Sequence, residues 1–295
     1  MRFLVCTPEA ITLRKTVQET TVLMGTPSMQ KQSSADKVLK VLDLFTEDAP
    51  AWTVEMLMTE LGATRATTYR YLKALYDAGL LAPGAGSSYV LGPRIIQLDR
   101  QIRRSDPLLQ IAVPLLEDER SPLIGAKNIS SLYGDQVLSV YVERCDPDIV
   151  LTMQRGRVFP LVYGSPSRII LAYLPPYQMK NFYTANAEEV ARAHLGDTWE
   201  EFRTSMRRLR KHGHCIGNEM NRTVVGISAP IFHDKSAVSA SLSYVRRVEF
   251  TSDEQKAELV DLVMTAADRI SKQLLSYKPE NGAKGPVFTT PRMSG

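Results

Sequence analysis

The chain has 295 residues, of which 44% are hydrophobic and 23% charged, and its formal net charge at pH 7 is +4. That length allows two domains, and the small positive charge permits nucleic-acid binding without indicating it. We find no low-complexity block, fixed-period repeat or apolar run of about 18 residues, which excludes fibrous, solenoid and membrane-spanning classes.

The N-terminal segment shows neither helical nor strand periodicity, so we expect residues 1–32 to be a disordered extension. Met24 and Met29 are alternative translation starts within it, and its apolar run is too short for a secretory signal peptide. The cysteines of the whole chain are odd in number and widely spaced, which is typical of a reduced compartment without disulfides; they are Cys6, Cys145 and Cys215. We therefore expect a cytoplasmic protein.

Two amphipathic helices joined by a tight turn are predicted between Thr53 and Ala78. The first, residues 54–61, has apolar side chains at i, i+3, i+4 and i+7, with Thr53 as its N-cap and Gly62 just past its end. Thr64 can cap the second helix, which has one apolar face. That face consists of Thr68, Tyr71, Leu72 and Leu75. This arrangement is typical of a helix-turn-helix.

Flanking elements extend the motif to a winged helix-turn-helix over residues 33–92. Upstream, the apolar spacing of residues 36–45 predicts a third helix. Downstream, two apolar segments flank the turn at residues 83–86 and predict a β-hairpin. A helical hairpin inside an ordinary core is the alternative for the helix pair alone, but three helices and a hairpin favour a DNA-binding domain.

The outer face of the second helix is the predicted DNA-reading surface. Arginine can bond guanine O6 and N7 bidentately, and alanine or threonine methyls can touch the thymine methyl in the major groove. The candidates for contact with double-stranded operator DNA are Arg65, Ala66, Thr67, Tyr69, Arg70 and Lys73. Lys73 lies farther along the helix, so we expect it to meet phosphate rather than a base.

A linker helix is predicted over residues 93–106, because Pro93 suits a first helical position and Asp106-Pro107 ends the segment. One side is basic, which is typical of a solvated face and also suits phosphate. The other side is apolar and is the best candidate for pairing two copies; it carries Ile95, Leu98 and Ile102. One recognition helix reads only a few base pairs, so we expect a homodimer or a dimer of dimers.

Residues 107–276 show an α+β pattern with strands clustered between helices, which favours a GAF- or PAS-like sensor domain. Strands are predicted around residues 129–133, 137–144, 149–154, 223–232 and 237–245, and helices at 108–120, 169–174, 199–212 and 252–275. The tail, residues 277–295, is rich in Gly, Pro and Lys and is predicted to be disordered.

Over about residues 34–275 the chain resembles the IclR family of bacterial transcriptional regulators. The resemblance rests on the order and spacing of separated motifs: residues 65–75, 78–81 and 89–92; residues 164–175; and Gly213, Glu219, residues 225–232 and residues 241–243. It implies a DNA-binding domain followed by a domain that binds a small effector and represses or activates transcription.

The effector site is predicted where the loop at residues 164–167 enters a helix, because free N–H groups and the helix dipole favour an anionic group there. Ser165 and Ser167 lie at this entry. The resemblance implies an opposite wall formed by Val224, Gly226, Ser228, Ser241 and Ser243, with Glu219 in the neighbouring motif. The alternative is that these small residues only allow tight packing of a sheet.

Several positions depart from the family's pattern. Val162-Tyr163 stands where similar members carry His-Ala, and Ser167-Arg168 where they carry Gly-Lys. Pro166 replaces a residue whose backbone N–H can hold an acid effector, and proline has no N–H. With few fixed charges nearby, we expect an acidic or aromatic metabolite with substantial apolar surface.

No enzymatic or cofactor motif is predicted. His212-Gly213-His214-Cys215 resembles a metal cluster, but a helix C-terminus with Gly213 as its cap is the simpler interpretation. We find no Gly-x-Ser-x-Gly elbow, dinucleotide motif or P-loop. The leading hypothesis is a ligand-gated regulator; the alternatives are a regulator whose second domain only oligomerises, and an enzyme fused to a DNA-binding domain.

Overall fold

The computed structural model describes residues 33–218, 223–234 and 237–277. The chain divides into two compact units, with the boundary between Leu98 and Asp99. Within the described ranges, no helix is long and apolar enough to cross a membrane. The predictions of disorder at residues 1–32 and in the tail after Tyr277 concern residues outside these ranges.

The first unit combines three helices and a small antiparallel sheet. The elements are α1 (Ser34–Asp43), β1 (Trp52–Thr53), α2 (Val54–Leu61), α3 (Arg65–Asp77), β2 (Leu81–Pro83) and β3 (Ser88–Leu91), with strand order β1-β3-β2. The predicted helix-turn-helix and hairpin are confirmed. The short strand β1, which adds a third strand beside the hairpin, was not predicted because two residues carry no periodicity.

Side-chain caps determine where these helices begin. The Thr53 hydroxyl accepts a hydrogen bond from the Met56 N–H, and that of Thr64 accepts one from the Thr67 N–H. Gly62 ends α2 in the left-handed conformation, at φ 58°. The helices enclose a core whose least exposed members are Val41, Leu57, Leu72 and Leu81. This core fixes α3 with its polar face outward.

The base of the wing closes through a close backbone approach at Gly92. Its N–H donates to the Leu80 carbonyl at 2.8 Å, and the Arg94 N–H donates to that of Gly79 at 3.1 Å. A Cβ atom at position 92 would collide with the Gly79 carbonyl oxygen. At the tip of the wing, Gly86 has φ +61° and open space around its Cα. Glycine is therefore required at the base of the wing for space and at the tip for conformation.

The second unit is built on a six-stranded antiparallel sheet of order β6-β5-β4-β9-β8-β7. Its strands are β4 (Ala126–Tyr133), β5 (Gln136–Arg144), β6 (Val158–Pro160), β7 (Cys215–Asn218), β8 (Val224–Phe232) and β9 (Val238–Arg247). The helices from the linker onward are α4 (Pro93–Ser105), α5 (Pro107–Asp118), α6 (Ser165–Ala172), α7 (Pro176–Ala185), α8 (Ala187–Arg192), α9 (Trp199–His212) and α10 (Asp253–Ser276). The α+β class is confirmed.

The two faces of this sheet differ in chemistry. One face is apolar and packs on α5 and α10; it includes Ile129, Ile227, Leu242 and Tyr244. Successive strand residues point to opposite sides, so the alternate residues form the other face. There, small polar side chains lie beneath α6, the helix of the predicted effector loop.

One strand prediction in this unit was wrong, and two strands, β6 and β7, were not predicted. Residues 149–154 are not a strand, although Ile149, Leu151 and Met153 are buried alternately. Ile149 and Leu151 pack with Ala126 and Val245. The alternation of buried and exposed residues therefore reflects side-chain packing, without the backbone hydrogen bonds of a strand pair. Conversely, residues 215–218 form β7, although Cys215 was interpreted as part of a helix C-terminus. Its glycine, Gly217, opposes Gly226, and strand statistics disfavour glycine.

Lys127 is a buried charge on the apolar side of the sheet, with 1% relative exposure. Its Nζ donates to the carbonyls of Leu116 and Glu119, at the C-terminal end of α5, and pairs with Glu143 at 3.1 Å. A cation suits a helix C-terminus, where carbonyl groups lack helical partners. This lysine therefore joins α5 to β4 and β5.

Asp106 caps α5: one carboxylate oxygen accepts the Leu108 N–H at 2.9 Å, whereas Oδ2 is buried without a partner among the described residues. Burial raises the pKa of this carboxyl above its usual value and outweighs the opposing hydrogen bonds from the backbone of Leu108 and Leu109.

Replacing Asp106 with asparagine should raise stability at neutral pH by about 1 kcal/mol, because the amide keeps the cap and removes a desolvated charge. The folded-state pKa exceeds the unfolded one, so the native form binds the proton more tightly. This carboxyl therefore contributes stability below its unfolded pKa and loses it as pH rises through the folded pKa. Urea unfolding from pH 3 to 8 should show the variant's advantage growing with pH; a constant difference would contradict this.

Candidate functional site

The outer face of α3 is the first candidate site. Five of the predicted DNA-reading side chains are exposed there: Arg65, Ala66, Tyr69, Arg70 and Lys73. The buried face consists of Thr68, Tyr71, Leu72 and Leu75, as the periodicity predicts. Thr67 is half-buried, and its hydroxyl accepts a hydrogen bond from Thr64 at 3.1 Å within the N-cap. Because this hydroxyl only accepts, its proton and the methyl group both remain for a base.

Arg65 is held by its neighbours. Its guanidinium pairs with Glu55 of α2 at 3.2 Å and lies 5.7 Å from the centroid of the Tyr69 ring. A hydrogen bond with Tyr69 raises the pKa of this arginine. Tyr69 is itself 44% exposed. The pair thus forms a preformed cation–aromatic surface at the N-terminal turn of α3, where a base edge would approach.

Arg70 and Lys73 differ in their partners. Lys73 forms an exposed ion pair with Asp77 at 3.0 Å, one turn along α3. Arg70 has no carboxylate partner within the part of the chain that the structure describes, and its guanidinium lies 5.8 Å from the Tyr71 ring centroid. Exposed pairs contribute little stability. Both cations can therefore turn to a nucleic acid at small cost.

The second candidate site is a cluster of buried serines where α6 meets the sheet. The Ser228 hydroxyl donates to Ser165 at 2.8 Å and lies 2.7 Å from that of Ser243, and the Ser241 hydroxyl donates to the Pro166 carbonyl at 3.2 Å. A Cβ at Gly226 would stand 3.0 Å from the Ser165 hydroxyl oxygen. The structure therefore brings Ser165, Gly226, Ser228, Ser241 and Ser243 together.

The number of hydroxyl protons determines which serine donates and which accepts in each hydrogen bond of this cluster. Each serine has one hydroxyl proton. Because Ser228 donates to Ser165, it must accept from Ser243. The Ser165 proton is then left for an acceptor outside the chain of hydroxyls. Ser167 is fully buried, and its hydroxyl has no partner among the described residues. Two hydroxyl donors thus remain in the first turn of α6.

One other predicted effector residue, Val224, stands apart from this cluster. Val224 packs in an apolar cluster with Ala126, Ile149, Leu151 and Val245. Glu219 lies outside the described residues. The small residues allow tight packing, as the alternative interpretation held, and the hydroxyl protons of Ser165 and Ser167 have no acceptor among the described contacts.

Sequence reasoning missed a second group of polar residues on the same face. Asn128 of β4 donates from its side-chain amide to the Ser139 hydroxyl at 2.6 Å and accepts from Ser130 at 2.6 Å. Asn128 and Ser130 lie directly opposite Ser243 and Ser241 in the register. The sequence of β4, Ala-Lys-Asn-Ile-Ser-Ser-Leu-Tyr, does not alternate polar and apolar residues, and its polar side chains are typical of a solvent-exposed strand. The polar face instead continues inward from the serine cluster.

The same face contains a buried thiol. Cys215 of β7 lies opposite Ser228 in the register and is almost fully buried. Burial raises the pKa of this thiol to about 11, although Arg168 opposes the shift. No group of three or more metal-ligating side chains occurs within the described ranges, and His212 and Gly213 end α9 as predicted.

Family comparisons match both units. The model of the IclR helix-turn-helix domain matches residues 34–83, and that of the bacterial transcriptional regulator IclR C-terminal domain matches residues 103–272. The HTH-type transcriptional regulator KipR of Bacillus subtilis is 23% identical over 249 residues, covering 83% of this chain and 98% of that protein. The Pca regulon regulatory protein of Pseudomonas putida is 26% identical over 250 residues, covering 82% and 84%.

Solved structures share the fold. A transcriptional regulator from a Rhodococcus species superposes with a TM-score of 0.68 at 21% identity, covering 82% of this chain and 98% of that one. An IclR homolog from Microbacterium hydrocarbonoxydans, crystallised with 4-hydroxybenzoate, superposes with a TM-score of 0.67 at 19% identity, covering 83% and 100%.

Proposed function

Because the chain belongs to the IclR family of bacterial transcriptional regulators, we propose that it binds operator DNA through α3 and releases or tightens that binding when a small organic acid occupies its C-terminal domain. Two features of the chain together support the proposal. The recognition helix α3 has an exposed cationic face, and buried hydroxyls at the N-terminus of α6 have protons free to bind an acceptor. A regulator of chromosomal genes acts in the cytoplasm, where we place it.

DNA reading rests on the outer face of α3. Arg65 and Arg70 supply bidentate donors for guanine, Ala66 and Thr67 supply methyl contacts, and Lys73 meets phosphate. The hydrogen bonds that close the base of the wing hold β2 and β3 in place, so the wing can contact the duplex beside the groove that α3 enters. A winged helix-turn-helix commonly uses both elements, so we assign β2 and β3 to contacts with the DNA backbone.

The effector site rests on α6. Oxygen atoms of a carboxylate accept hydrogen bonds, and the Ser165 and Ser167 hydroxyls are the donors available in the first turn, where the helix dipole adds to the attraction. The donors found here are neutral hydroxyls, so we infer a monoacid with an apolar body. A relative crystallised with 4-hydroxybenzoate gives that class a first probe.

Assembly rests on α4. Ile96 is 73% and Ile102 42% exposed, whereas Ile95 and Leu98 are half-buried. Ile102 shares one face of α4 with Ile95 and Leu98, at i, i+3 and i+7, whereas Ile96 lies about 120° away around the helix. The pairing face therefore stays at Ile95, Leu98 and Ile102. We propose that two copies pair through it and read two half-sites. Light scattering at micromolar concentration tests this: a monomer that still protects two half-sites in footprinting would contradict it.

Two substitutions on α3 distinguish base reading from phosphate contact. With a duplex selected from a random library, Arg70→Ala should cost about 1–3 kcal/mol and relax the preference at one base position. Lys73→Ala should weaken selected and scrambled duplexes alike and reduce the salt slope by about one unit. Fluorescence anisotropy at several salt concentrations measures both effects. If Arg70→Ala keeps the wild-type ratio between the duplexes, Arg70 does not read a base.

Removing one serine hydroxyl tests the effector site. Ser165→Ala should weaken binding of 4-hydroxybenzoate, or of the tightest acid in a panel of aromatic and aliphatic carboxylates, by about tenfold or more, because a hydrogen bond to a charged group is worth roughly 1.5–3 kcal/mol. Operator binding without ligand should be unchanged. Calorimetry measures the loss, and Ser276→Ala, at the exposed end of α10, is the matched control.

The same panel separates the alternatives. If no acid binds the folded wild-type protein, the second domain serves only to oligomerise, and the sensor proposal is wrong. If acids bind but Ser165→Ala binds them equally well, the ligand lies elsewhere in the protein.

A further inference from the structure

A groove of about 770 Å³ lies in the second unit, between α5 and the middle of β5, away from α6. Cavities of this size hold small organic molecules. Its apolar lining comes from α5, β5 and the segment at residues 151–153; it includes Leu109, Val113, Val140, Val142, Leu151 and Met153. The segment that was wrongly predicted as a strand thus forms one wall of this groove.

The backbone explains why the groove exists. β6 pairs with β5 only over residues 136–138, so the stretch of β5 from Val140 onward has a ladder on one side only. In the pairing with β4, the register shifts between Ile129 and Ser130, which leaves Val140 as the extra residue of a bulge. A bulge at a strand edge turns a side chain away from the regular sheet, and here the displaced residue lines the groove.

The rim of the groove is strongly cationic. Three arginines line it, Arg103, Arg144 and Arg155, against one carboxylate, Glu117. Arg155 donates from Nε and Nη2 to one oxygen of Asp99, at 3.1 and 2.6 Å, and Arg103 donates from Nε to the other oxygen at 2.7 Å. Nη1 of Arg155 and both terminal nitrogens of Arg103 take no part in this clip. Arg144 is exposed and forms no ion pair with any described residue.

From this geometry we propose that the groove is a second acid-binding site, separate from the α6 site, that takes a carboxylate with an aromatic or branched aliphatic body. The apolar floor buries the body, and the guanidinium groups bind the carboxylate, for which their planar donor pairs are matched. An acid bound there contacts the same two arginines that hold Asp99 of α4. Occupancy of the groove therefore adds a second carboxylate to the arginines of the clip that joins the linker helix to residues 149–157.

The test locates bound acid with a photoreactive probe, 4-benzoylbenzoate, on the full-length protein. Irradiation inserts the benzophenone carbonyl carbon into nearby C–H bonds, and peptide mapping identifies the labelled residues. We expect labelling of residues 109–117 and 151–155, with Met153 foremost, and suppression of that labelling by excess benzoate. Labelling confined to α6, β8 and β9 would overturn the groove proposal while leaving the α6 site intact, so the two sites are tested separately.

Two exposed rim substitutions test the charge argument without disturbing packing. Arg144→Gln removes a guanidinium, and Gln154→Glu adds a carboxylate to the lining. Each should reduce groove labelling at least fivefold, whereas Arg208→Gln on α9 should leave it unchanged. If both rim variants are labelled like the wild type, the arginines do not recognise the probe and the proposal is wrong.

Discussion

Replacing Lys127 with alanine is expected to lower the free energy of unfolding of the second unit by about 3–5 kcal/mol, the usual cost of removing one partner of a buried ion pair. The substitution leaves the carbonyls of Leu116 and Glu119 without their cation, and it also leaves a cavity where the aliphatic stem packed. Glu143, at 26% side-chain exposure, can regain water, which places the effect toward the lower end of the range.

Urea unfolding followed by fluorescence in a Trp52→Phe background measures this loss, because the remaining Trp199 lies at the start of α9 in the second unit. Lys127→Met keeps the aliphatic volume and should recover part of the loss, which separates packing from charge. Lys211→Ala, on the exposed face of α9, is the matched control and should change stability by less than about 0.5 kcal/mol. Equal stability of Lys127→Ala and Lys211→Ala would show that the clamp on α5 contributes nothing.

Replacing Gly92 with alanine should destabilise the first unit by roughly 2–4 kcal/mol. The new methyl collides with backbone at Gly79, which cannot rotate away as a side chain would, and overpacking of this kind costs about 1–3 kcal/mol. Separating the strands also breaks the hydrogen bond from the Gly92 N–H to the Leu80 carbonyl, worth about 1 kcal/mol. The wing would then part from the end of α3, and operator affinity should fall with it.

Thermal unfolding in a Trp199→Phe background measures this change through Trp52 alone, since the chain has two tryptophans. Trp52 lies opposite Tyr89 in the wing sheet and therefore senses the wing directly. Gly86→Ala is the matched control: it strains a left-handed residue at the tip but meets open space, so about 1 kcal/mol is expected. A smaller loss at position 92 than at position 86 would contradict the steric argument.

The helices could be predicted because local signals mark their ends. Thr53, Thr64 and Ser252 cap their helices with side-chain hydrogen bonds, and Gly62 and Gly213 end theirs in the left-handed conformation. A capping residue and a left-handed glycine act within one turn of the chain, so sequence alone contains the information. The first helix was placed two residues late because its capping box at Ser33 precedes the first apolar residue.

Strand pairing could not be predicted in the same way, since it depends on residues far apart in sequence. Residues 149–154 show strand-like alternation because every second side chain packs against the sheet. They form no strand, because the partner of β5 on that side is β6. β7 pairs with β8 and passes close to the start of α6 at Gly217, where a Cβ would stand 3.3 Å from Ser165 N. That contact spans more than fifty residues of chain.

The candidate site was partly foreseen. The family resemblance implied that serines on β8 and β9 form one wall of the site, and the structure joins them to Ser165. The contribution of Asn128 and Ser130 depends on β4 pairing with β9, a register that no local pattern specifies.

The buried thiol of Cys215 can be used to measure how often the C-terminal domain opens locally. A thiol with a pKa near 11, nearly sealed from solvent, is almost wholly protonated at neutral pH and reacts with alkylating reagents only when β7 separates from its neighbours. Its alkylation rate therefore reports how often this edge of the sheet opens. An acid that bridges α6 to β8 should slow the reaction in proportion to its occupancy, while the exposed thiol of Cys145 continues to react at its own rate.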